Sequence, residues 1–470
     1  MFLRLRVIVL LNFSDKPSNS CINLVPCTPN ELSNWLTDAD KKTQVWLKNI
    51  NFKSTANEIA LIPDDKGALR NVLVGVSPTG ILWNFAALIE KLPEGTYCLN
   101  DQTKILTSQM QDLALIGWGL GAYTFSRYKT HEQKSIHLIW PKNAKKLHIE
   151  RVVQATYFVR DLINTPAADL GPEELAQAAV SLTNDFGGKH KTIIGDDLLT
   201  KGFPAIYAVG SSSHRKPRFI DLSWGNNDDP KVTLIGKGVC FDSGGLNIKP
   251  AGGMKLMKKD MGGAAHALGL AMMIMSSNLP LNLRVLIPAV DNSIGPEAMR
   301  PLDVVETRAG LNIEIGHTDA EGRVILADAI TLASEGKPQL ICDFATLTGA
   351  ARIALGTELP ALFVNENGWG ETILNAGQKV SDPLWRMPLW QDYKIQIESS
   401  VADISNEPKS SFGGAITASL FLERFVGKNL IWSHVDLMAW NLFSRPGRPE
   451  GGEAMGMRAF YEALIDYFEK

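Results

Sequence analysis

The chain has 470 residues, of which 45% are hydrophobic and 21% are charged, values that are ordinary for a folded globular protein. Its 47 basic and 50 acidic residues give a formal net charge of −3, which excludes a general electrostatic attraction to nucleic acid or to an anionic membrane. A chain of this length predicts two or more domains.

The amino terminus, Met1–Asn12, places two arginines before a short apolar run and so imitates an export signal. Only Val7–Leu11 is uninterrupted, which is short for the apolar core of a signal peptide, and no cleavage site of small residues follows it. We therefore interpret this segment as a first β-strand. No apolar stretch approaches the ~20 residues of a membrane span, so no membrane partner is predicted.

Residues 1–140 alternate short apolar runs with polar turns, as at Val45–Leu47, Asn71–Val76 and Ile136–Trp140. This alternation predicts a small amino-terminal α/β domain. The five cysteines of the whole chain are odd in number and scattered, and they include no CxxC pair. They predict neither a disulfide framework nor a cysteine zinc site, and a reducing cytoplasm is the expected setting.

Two segments of this domain imitate functional motifs. Gly117, Gly119 and Gly121 resemble a glycine-rich nucleotide loop, but no strand-to-helix frame and no downstream ribose-binding acid accompany them. A helix-packing segment is therefore the favoured interpretation. His131 and His137 imitate a zinc-peptidase motif, yet the second histidine comes two residues too late to share a helical face with the first. We expect a solvated loop there.

A polar break at Pro141–Lys146 is the best candidate for a domain boundary. The helical period of Ile149–Ile163 then predicts a linker helix within residues 141–165. Pro172 is expected to begin a new helix, because proline suits the first helical turn. The remainder of the chain, residues 166–470, is predicted to be the catalytic domain.

After residue 190 the pattern of strand, loop and helix repeats, which predicts a larger α/β domain whose mostly parallel sheet is flanked by helices. The predicted strands are Val232–Ile235, Leu283–Ile287, Ile313–Ile315, Leu340–Phe344 and Leu430–Trp432. The predicted helices are Ala264–Met275, Ile325–Ser334 and Ala415–Phe425.

The first candidate site follows the predicted strand that begins at Val232. The glycines after this strand predict a loop whose backbone approaches a ligand closely. Lys237, Asp242, Lys249 and Asp260 lie on or near the strand end, and parallel α/β sheets bind ligands at that edge.

The second candidate site is the segment Gly316–Val324, which holds two carboxylates and a guanidinium within five residues. In an extended loop, Asp319 and Glu321 point the same way and can face one cavity. Carboxylates that close repel each other unless a cation lies between them. Arg323 alone can be that cation, whereas the lysine-rich acidic segment upstream favours a metal. Acidic loops without a metal are common, so the residues alone leave both interpretations open.

Together the two segments resemble the leucyl (cytosol) aminopeptidases, a family of two-metal exopeptidases. The family's hallmark is Asn-Thr-Asp-Ala-Glu-Gly-Arg-Leu, and His317–Val324 of this chain keeps its six central residues. The resemblance continues through Asp343–Ala350, Phe412–Ile416 and His434–Asp436. It is good over roughly residues 150–470 and poor over the preceding domain. Several long motifs in the family's order make this a specific signal.

The resemblance implies two divalent metal ions, zinc or manganese being expected. One ion would be held by Lys237, Asp242, Asp260 and Glu321. The other would be held by Asp242, Asp319 and Glu321, with the backbone carbonyl of Asp319. A lysine ligand must lose its proton, which two nearby cations and burial favour. The alternative for Lys237 is an ion pair with one of the acids.

Lys249 and Arg323 are similar to the family's two catalytic residues. Lys249 would stabilise the tetrahedral gem-diolate, and Arg323 would hold a bicarbonate ion that acts as the general base. The alternative for Arg323 is simple neutralisation of Asp319 and Glu321.

The substrate-binding residues are also implied by the resemblance. Backbone groups of Thr346, Leu347 and Gly349 would hold the peptide, and Met257, Thr346 and Gly349 would line the pocket for its first side chain. Met257 is equally compatible with a plain core position. The expected activity is removal of N-terminal residues, preferably leucine-like ones, from peptides.

Three departures from the family's pattern limit these expectations. His317 replaces an asparagine beside the metal loop, and a structural role is favoured over tuning of the site or binding of a third group. Met438–Asn441 replaces small residues of the pocket wall, so the size of the pocket is open. Arg445–Arg458 is too unusual for a plain linker and is expected at a pocket edge or a subunit contact.

The implied partners are peptides and further copies of the chain, because the family forms homohexamers whose active sites face an interior cavity. Some relatives bind DNA, but the near-neutral charge and the poor amino-terminal match argue against nucleic acid here. A two-metal phosphohydrolase is a further alternative. Against it, the Gly236–Gly238 segment lacks the serine or threonine that follows the lysine of a phosphate-binding loop.

Overall fold

The computed structural model describes residues 12–16, 20–132 and 134–468, so the strand predicted at Val7–Leu11 lies outside the described residues. The chain divides into two compact units. One consists of residues 6–157 with 443–449, and the other includes residues 158–442 and 450–470. None of the helices in the described ranges combines the length and the apolar character needed to cross a membrane.

The first unit is built on a six-stranded sheet with the order β1-β6-β5-β2-β4-β3, in which only the β3–β4 pair is antiparallel. The strands are β1 (Phe13–Ser14), β2 (Ile22–Cys27), β3 (Ile59–Pro63), β4 (Leu69–Gly75), β5 (Gly95–Leu99) and β6 (Ile136–Ile139). The helices are α1 (Pro29–Asp38), α2 (Lys41–Asn49), α3 (Ile81–Ala86), α4 (Leu88–Lys91) and α5 (Ser108–Gly121).

The three glycines that imitate a nucleotide loop lie inside α5, as the helix-packing interpretation predicts. A Cβ at Gly117 would lie 1.9 Å from the Leu82 carbonyl oxygen, and one at Gly121 would lie 2.3 Å from that of Ala86. Glycine is therefore required because α3 and α5 touch through their backbones.

The expectation of no disulfide is wrong at one pair, because Cys21 and Cys98 are bonded. Cys21 directly precedes β2 and Cys98 lies in the adjacent strand β5, where Asn23 is its register partner. The two Cα atoms are 5.8 Å apart, within the usual range for a disulfide. The order of the strands brings the two residues together, and the spacing of the cysteines along the chain does not predict this pairing. The remaining three cysteines are free and buried.

The linker helix predicted for Ile149–Ile163 is present as α6 (Lys146–Asn164), and the division between the two units falls within it. Pro172 begins the next helix, α7, as expected.

The second unit contains a nine-stranded sheet whose main path has the order β16-β15-β18-β14-β9-β11-β8-β7, with β10 paired to β11. Its core strands β18, β14, β9 and β11 are mutually parallel, and antiparallel pairs occur only towards the two edges. These strands are β7 (Lys189–Ile194), β8 (Arg218–Trp224), β9 (Lys231–Gly236), β10 (Gly238–Asp242), β11 (Asn282–Asn292), β14 (Leu340–Ala345), β15 (Ala361–Val364), β16 (Trp385–Arg386) and β18 (Ile431–Asp436).

Two smaller sheets accompany the large one. Their strands are β12 (Val304–Glu306), β13 (Asn312–Glu314), β17 (Ile404–Ser405), β19 (Trp440–Asn441) and β20 (Gly451–Gly452). The strand predicted at Ile313–Ile315 is therefore real but belongs to a separate three-stranded sheet. Its pairing with β12 and β17 was not visible in its own short apolar run.

The helices of this unit flank the large sheet. They are α7 (Pro172–Asp185), α8 (Asp197–Thr200), α9 (Pro204–Gly210), α10 (Ala251–Met254), α11 (Gly262–Ser277), α12 (Glu321–Glu335), α13 (Gly349–Leu355), α14 (Asn367–Lys379), α15 (Gly414–Glu423) and α16 (Met457–Phe468), together with 3₁₀ helices at Met257–Lys259 and Gln391–Ile397. A small and a larger α/β unit, the larger with a mostly parallel sheet, confirm the predicted fold class.

The apolar residues of two central elements, β9 and α11, explain why these elements are buried. β9 is an unbroken buried run because parallel strands are covered on both faces. α11 is apolar all round and buried from Gly262 to Met275, as expected of a helix enclosed by the rest of its unit.

The unassigned segment Arg445–Arg458 is largely structural. Its second half is buried in the larger unit, where Glu453 pairs with Arg160, a side chain with 0% exposure. The Arg160 Nη2 donates to both Glu453 carboxylate oxygens at 3.0 Å. Asn441 donates to the same carboxylate at 2.7 Å. The ion pair thus ties α6 to the loop that precedes α16.

We expect Glu453→Gln to lower the free energy of unfolding by about 3 kcal/mol, because it leaves a buried guanidinium without its counter-charge. Denaturant unfolding measures the change. Asp65→Asn is the matched control, since its partner Lys42 and Asp65 itself are both 83% exposed and the surface pair is expected to contribute under about 0.5 kcal/mol. Equal stability of the two variants would contradict the structural role of Glu453.

Candidate metal centre and active site

The carboxyl ends of the parallel strands bring the two predicted segments to one edge of the large sheet. Lys237 follows β9 directly, and Asp242 is the last residue of β10. Thr346 follows β14, and Glu321 is the first residue of α12. Ligand sites of open α/β sheets occur at this edge, so the fold places the candidate residues where a site is expected.

Three carboxylates form the centre of the site. Ligand oxygens of Asp242, Asp319 and Glu321 all lie within 4.8 Å of one another. Asp242 and Glu321 are buried, at 2% and 1% exposure, and Asp319 is partly exposed. Asp260, at 2% exposure, joins the cluster through a lysine rather than directly.

Two lysines lie between these acids. The Lys237 Nζ is 2.8 Å from Asp260 Oδ2 and 2.9 Å from Glu321 Oε1. The Lys249 Nζ is 2.7 Å from Asp242 Oδ2 and also pairs with Asp319. All five predicted metal ligands and Lys249 therefore lie in one contiguous cluster, and their roles stay predictions.

The electrostatics of the cluster follow from burial and from these pairs. Burial alone would lower the pKa of Lys237, but Asp260 and Glu321 more than offset it and hold that pKa above its usual value. Burial and the neighbouring Glu321 raise the pKa of Asp242 well above its usual range. Burial would also raise the pKa of Asp260, yet the adjacent Lys237 ammonium lowers it. The carboxylates thus compete for the positive charge of the two lysines.

The residues fit divalent cations. Within the described ranges, Asp260 Oδ2, Asp319 Oδ1 and Glu321 Oε1 are buried and accept no well-directed hydrogen bond, although each lies beside a lysine Nζ. Buried acceptors of this kind call for a ligand. Carboxylates with an amine are a donor set that zinc, manganese, magnesium and cobalt all accept.

Arg323 lies in the first turn of α12 and is 8% exposed. Its Nη1 donates to the Asn406 carbonyl at 2.7 Å, while its Nε finds no acceptor among the described residues. Burial lowers the pKa of this guanidinium to about 10, so it stays charged at neutral pH. It therefore has donors left over for an oxyanion.

The predicted substrate-binding residues occupy the loop after β14, the first position of α13 and the 3₁₀ helix before α11. Thr346 Oγ1 donates to Asp260 Oδ1 at 2.7 Å, so this side chain supports a predicted ligand. The Leu347 N–H already donates to Asp436 Oδ1 at 3.0 Å, which leaves its carbonyl as the backbone group for a peptide. Gly349 is exposed, and Met257 is buried at 8% exposure.

Sequence reasoning missed Asn292, the last residue of β11. Its Nδ2 donates to Asp242 Oδ1 at 2.8 Å and to the Thr318 carbonyl at 3.1 Å. The amide therefore fixes the orientation of Asp242 and joins the two loops that carry the cluster. The available signal was the polar pair Asp291–Asn292 at the end of an apolar run, but the predicted strand stopped five residues earlier, at Ile287.

Sequence reasoning also missed Asn406, whose contacts with the His317 backbone explain why a histidine is accepted at this position. The Asn406 side chain accepts from the His317 N–H at 3.2 Å and donates to the His317 carbonyl at 2.9 Å. The Asp319 N–H donates to His317 Nδ1 at 3.2 Å. The histidine thus orders the backbone of the loop that carries Asp319, in keeping with the structural role favoured for it.

The Met438–Asn441 departure is also buried. Trp440, at 7% exposure, has the Lys258 Nζ 5.3 Å from its ring centroid. Ala439 has a positive φ of 56°, and its Cβ would lie 2.4 Å from a Cβ at Gly262. This close approach fixes a wall of large side chains next to the start of α11.

Comparisons with known proteins agree on one family. The model of the cytosol aminopeptidase family catalytic domain matches residues 157–461, and that of the M17 aminopeptidase N-terminal domain matches residues 22–141. A probable cytosol aminopeptidase from Corynebacterium efficiens is 34% identical over 445 residues, which are 90% of this chain and 87% of the relative.

Two solved structures extend the agreement to three dimensions. The crystal structure of a cytosol aminopeptidase from Coxiella burnetii is 49% identical with a TM-score of 0.94, covering 97% of this chain and 99% of that one. The bottromycin maturation enzyme BotP in complex with Mn is 29% identical with a TM-score of 0.86, covering 95% of this chain and 99% of that one.

We expect Asn292→Ala to weaken the binding of Mn²⁺ about tenfold, because the groups that orient metal ligands typically contribute that much or more. Competition against a fluorescent chelator measures the affinity. Asn184→Ala, at an exposed position of α7, is the matched control and is expected to leave the affinity unchanged. An unaltered affinity in Asn292→Ala would show that Asp242 needs no such support.

Proposed function

The chain belongs to the cytosol aminopeptidase (M17) family and is an aminopeptidase, and we propose that it removes N-terminal residues, preferably leucine-like ones, with two divalent cations held by the cluster at the sheet edge. The observation that carries this proposal is the close set of Asp242, Asp319 and Glu321 with two lysines between the acids. The cytosol named for its relatives is the proposed location, and a homohexamer is the proposed assembly.

In the proposed site, Lys237, Asp242, Asp260 and Glu321 hold one ion. Asp242, Asp319 and Glu321, with the Asp319 carbonyl, hold the other. When bound, zinc or manganese ions would polarise the scissile carbonyl, lower the pKa of a water and accept the neutral α-amine of the substrate. The Lys237 ammonium must lose its proton to become a ligand, so its pKa, raised here by the acids, has to fall when the ions add their charge.

Lys249 is proposed to stabilise the transition state. Its side chain is 13% exposed, so it is the more accessible of the two lysines, and its pairs with Asp242 and Asp319 hold it at the mouth of the cluster. The pKa of its ammonium is raised, because these acids more than offset the effect of burial, so it remains a cation at neutral pH. A fixed cation in a buried site stabilises the negative charge that develops on the substrate carbonyl oxygen.

Arg323 is proposed to hold bicarbonate, which takes the proton of the attacking water. Its free Nε and its planar guanidinium suit a small planar oxyanion. The Asn406 carbonyl fixes the other side of the guanidinium, so the donors face a defined direction. The base is thus an anion bound by the protein, and no histidine is required for this role.

The activity test compares leucine amide with N-acetyl-leucine amide, each with added Mn²⁺ and with a chelator. We expect cleavage of leucine amide only, abolished by the chelator and restored by Mn²⁺, because an acetylated amine cannot complete the ligand set of a metal. Liquid chromatography of the released leucine, or of the released N-acetyl-leucine for the acetylated substrate, measures the rate. Equal cleavage of both substrates, or cleavage that persists in chelator, would contradict the proposal. A phosphate ester serves as the control for a phosphohydrolase.

Substitutions separate the proposed roles. Lys249→Ala and Arg323→Ala are expected to retain both ions and to lose about 10²–10³ in kcat, the usual cost of a lost charge-stabilising group. Asp260→Ala is expected to lose metal, measured by atomic emission on the purified protein. Lys255→Ala, an exposed lysine of the same loop, is the matched control with unchanged metal and rate. Loss of metal from Lys249→Ala would overturn this assignment of roles.

A further inference from the structure

Arg352 is a cation beside the proposed substrate loop that has no carboxylate partner among the described residues. It lies in α13, three residues after Gly349, and it is half-buried. Within the described ranges, its guanidinium makes no ion pair or hydrogen bond. A guanidinium has five N–H donors, so Arg352 has donors available for an acceptor.

The space in front of Arg352 is open because residue 349 is glycine. A Cβ at Gly349 would lie 3.6 Å from the Arg352 Nη2 and within 4 Å of no other described atom outside its own helix. The guanidinium therefore borders the free volume above Gly349, on the loop proposed to hold the peptide backbone.

The carboxylate of Asp436 is already engaged in hydrogen bonds to the loop after β14. Asp436, at the end of β18, accepts from the Leu347 N–H at 3.0 Å, the Thr348 N–H at 3.1 Å and the Thr348 hydroxyl at 2.5 Å. Its charge thus holds the substrate loop in place. No described ion pair joins it to Arg352.

A second cation reinforces the positive region. Lys259 is 1% exposed, and its Nζ has no hydrogen-bond acceptor among the described residues. It interacts electrostatically with Arg352 as well as with Asp260 and Asp436. Lys259 already has these two carboxylates near it, whereas Arg352 has no ion pair among the described residues, so an added anion would stabilise Arg352.

We propose that Arg352 binds a carboxylate of the substrate, foremost the C-terminal carboxylate of a di- or tripeptide. The inference rests on the proposed aminopeptidase function. A planar carboxylate matches the fork of an arginine, and in a short peptide that group is only about 3.5 Å per residue from the scissile bond. An acidic side chain offers the same chemistry, so the test distinguishes the two sources.

The test uses the metal-loaded enzyme and matched substrate pairs. Leu-Gly against Leu-Gly amide reports on the C-terminal carboxylate, and Glu-Gly amide against Gln-Gly amide reports on a side-chain carboxylate. Wild type is expected to show a KM about tenfold lower for Leu-Gly than for its amide, as befits a half-exposed charge-assisted contact. Little difference is expected within the second pair.

Arg352→Gln is expected to abolish that tenfold preference by raising the KM of Leu-Gly while leaving kcat and the cleavage of leucine amide unchanged. Arg352→Lys should restore part of it, because the charge returns without the fork. Lys428→Gln is the matched control, since it removes the same charge from an exposed position that precedes β18 at the opposite edge of the sheet.

Three results would overturn the inference. An equal KM for both members of each pair in wild type, with leucine amide still cleaved, would refute carboxylate binding and leave the proposed function intact. A preference that survives Arg352→Gln would assign it to another group. Failure of the loaded enzyme to cleave any of these substrates would refute the proposed function and the inference with it.

A fourth result would support carboxylate binding from a different source. A preference confined to the Glu-Gly amide and Gln-Gly amide pair would show that Arg352 binds an acidic side chain and not the C-terminal carboxylate.

Discussion

Repulsion among buried carboxylates is the constraint on which the site depends. Asp242, Asp260, Asp319 and Glu321 share a small volume at the sheet edge, and only two lysines lie between them. Charges that are removed from water are costly unless they are paired, so the excess of acids over lysines must be met by protons or by cations. The raised pKa values of Asp242 and Glu321 are one expression of this deficit, and the affinity for divalent ions that we propose is the other.

The backbone must leave space for the Lys237 side chain to reach the carboxylates of the cluster. Lys237 extends beneath the start of α12, where a Cβ at Gly322 would lie 2.6 Å from its Cε. On the other side, a Cβ at Gly263 would lie 2.0 Å from the Phe344 carbonyl oxygen, so α11 is packed directly on β14. The glycine that follows Glu321 in the hallmark motif thus has a physical reason. Gly322 makes room for Lys237, which pairs with Glu321 of the same motif.

The fold class was predictable because the central strands contain short apolar runs and the flanking helices have a helical period between them. The charged half of the site was predictable for a related reason: its residues follow those runs, and the carboxyl ends of parallel strands meet at one edge.

The two asparagines that support the site were not predictable from the sequence. Asn292 and Asn406 act through hydrogen bonds to residues 26 to 89 positions away, and an asparagine carries no spacing signature of its own. The Cys21–Cys98 bond was unpredictable because it depends on β2 and β5 being neighbours, which is a property of strand order. The roles of the charged residues in catalysis stay predictions.

The distribution of charge along the site has a direction. The cluster around Asp242 and Glu321 is acidic, whereas the far side of the loop after β14 is basic, at Arg352 and Lys259. Asp436 interacts electrostatically with Lys259, and it accepts hydrogen bonds from the Leu347 and Thr348 N–H groups of the loop after β14. A short peptide carries the opposite polarity, with an amine at the end to be cleaved and a carboxylate at the other. Under the two proposals, the metal ions would bind the amine and Arg352 would bind the carboxylate, so short substrates would be favoured because only in a short chain do both groups fall within the site. Selection by length would then come from two groups of a single protomer, the metal centre and Arg352.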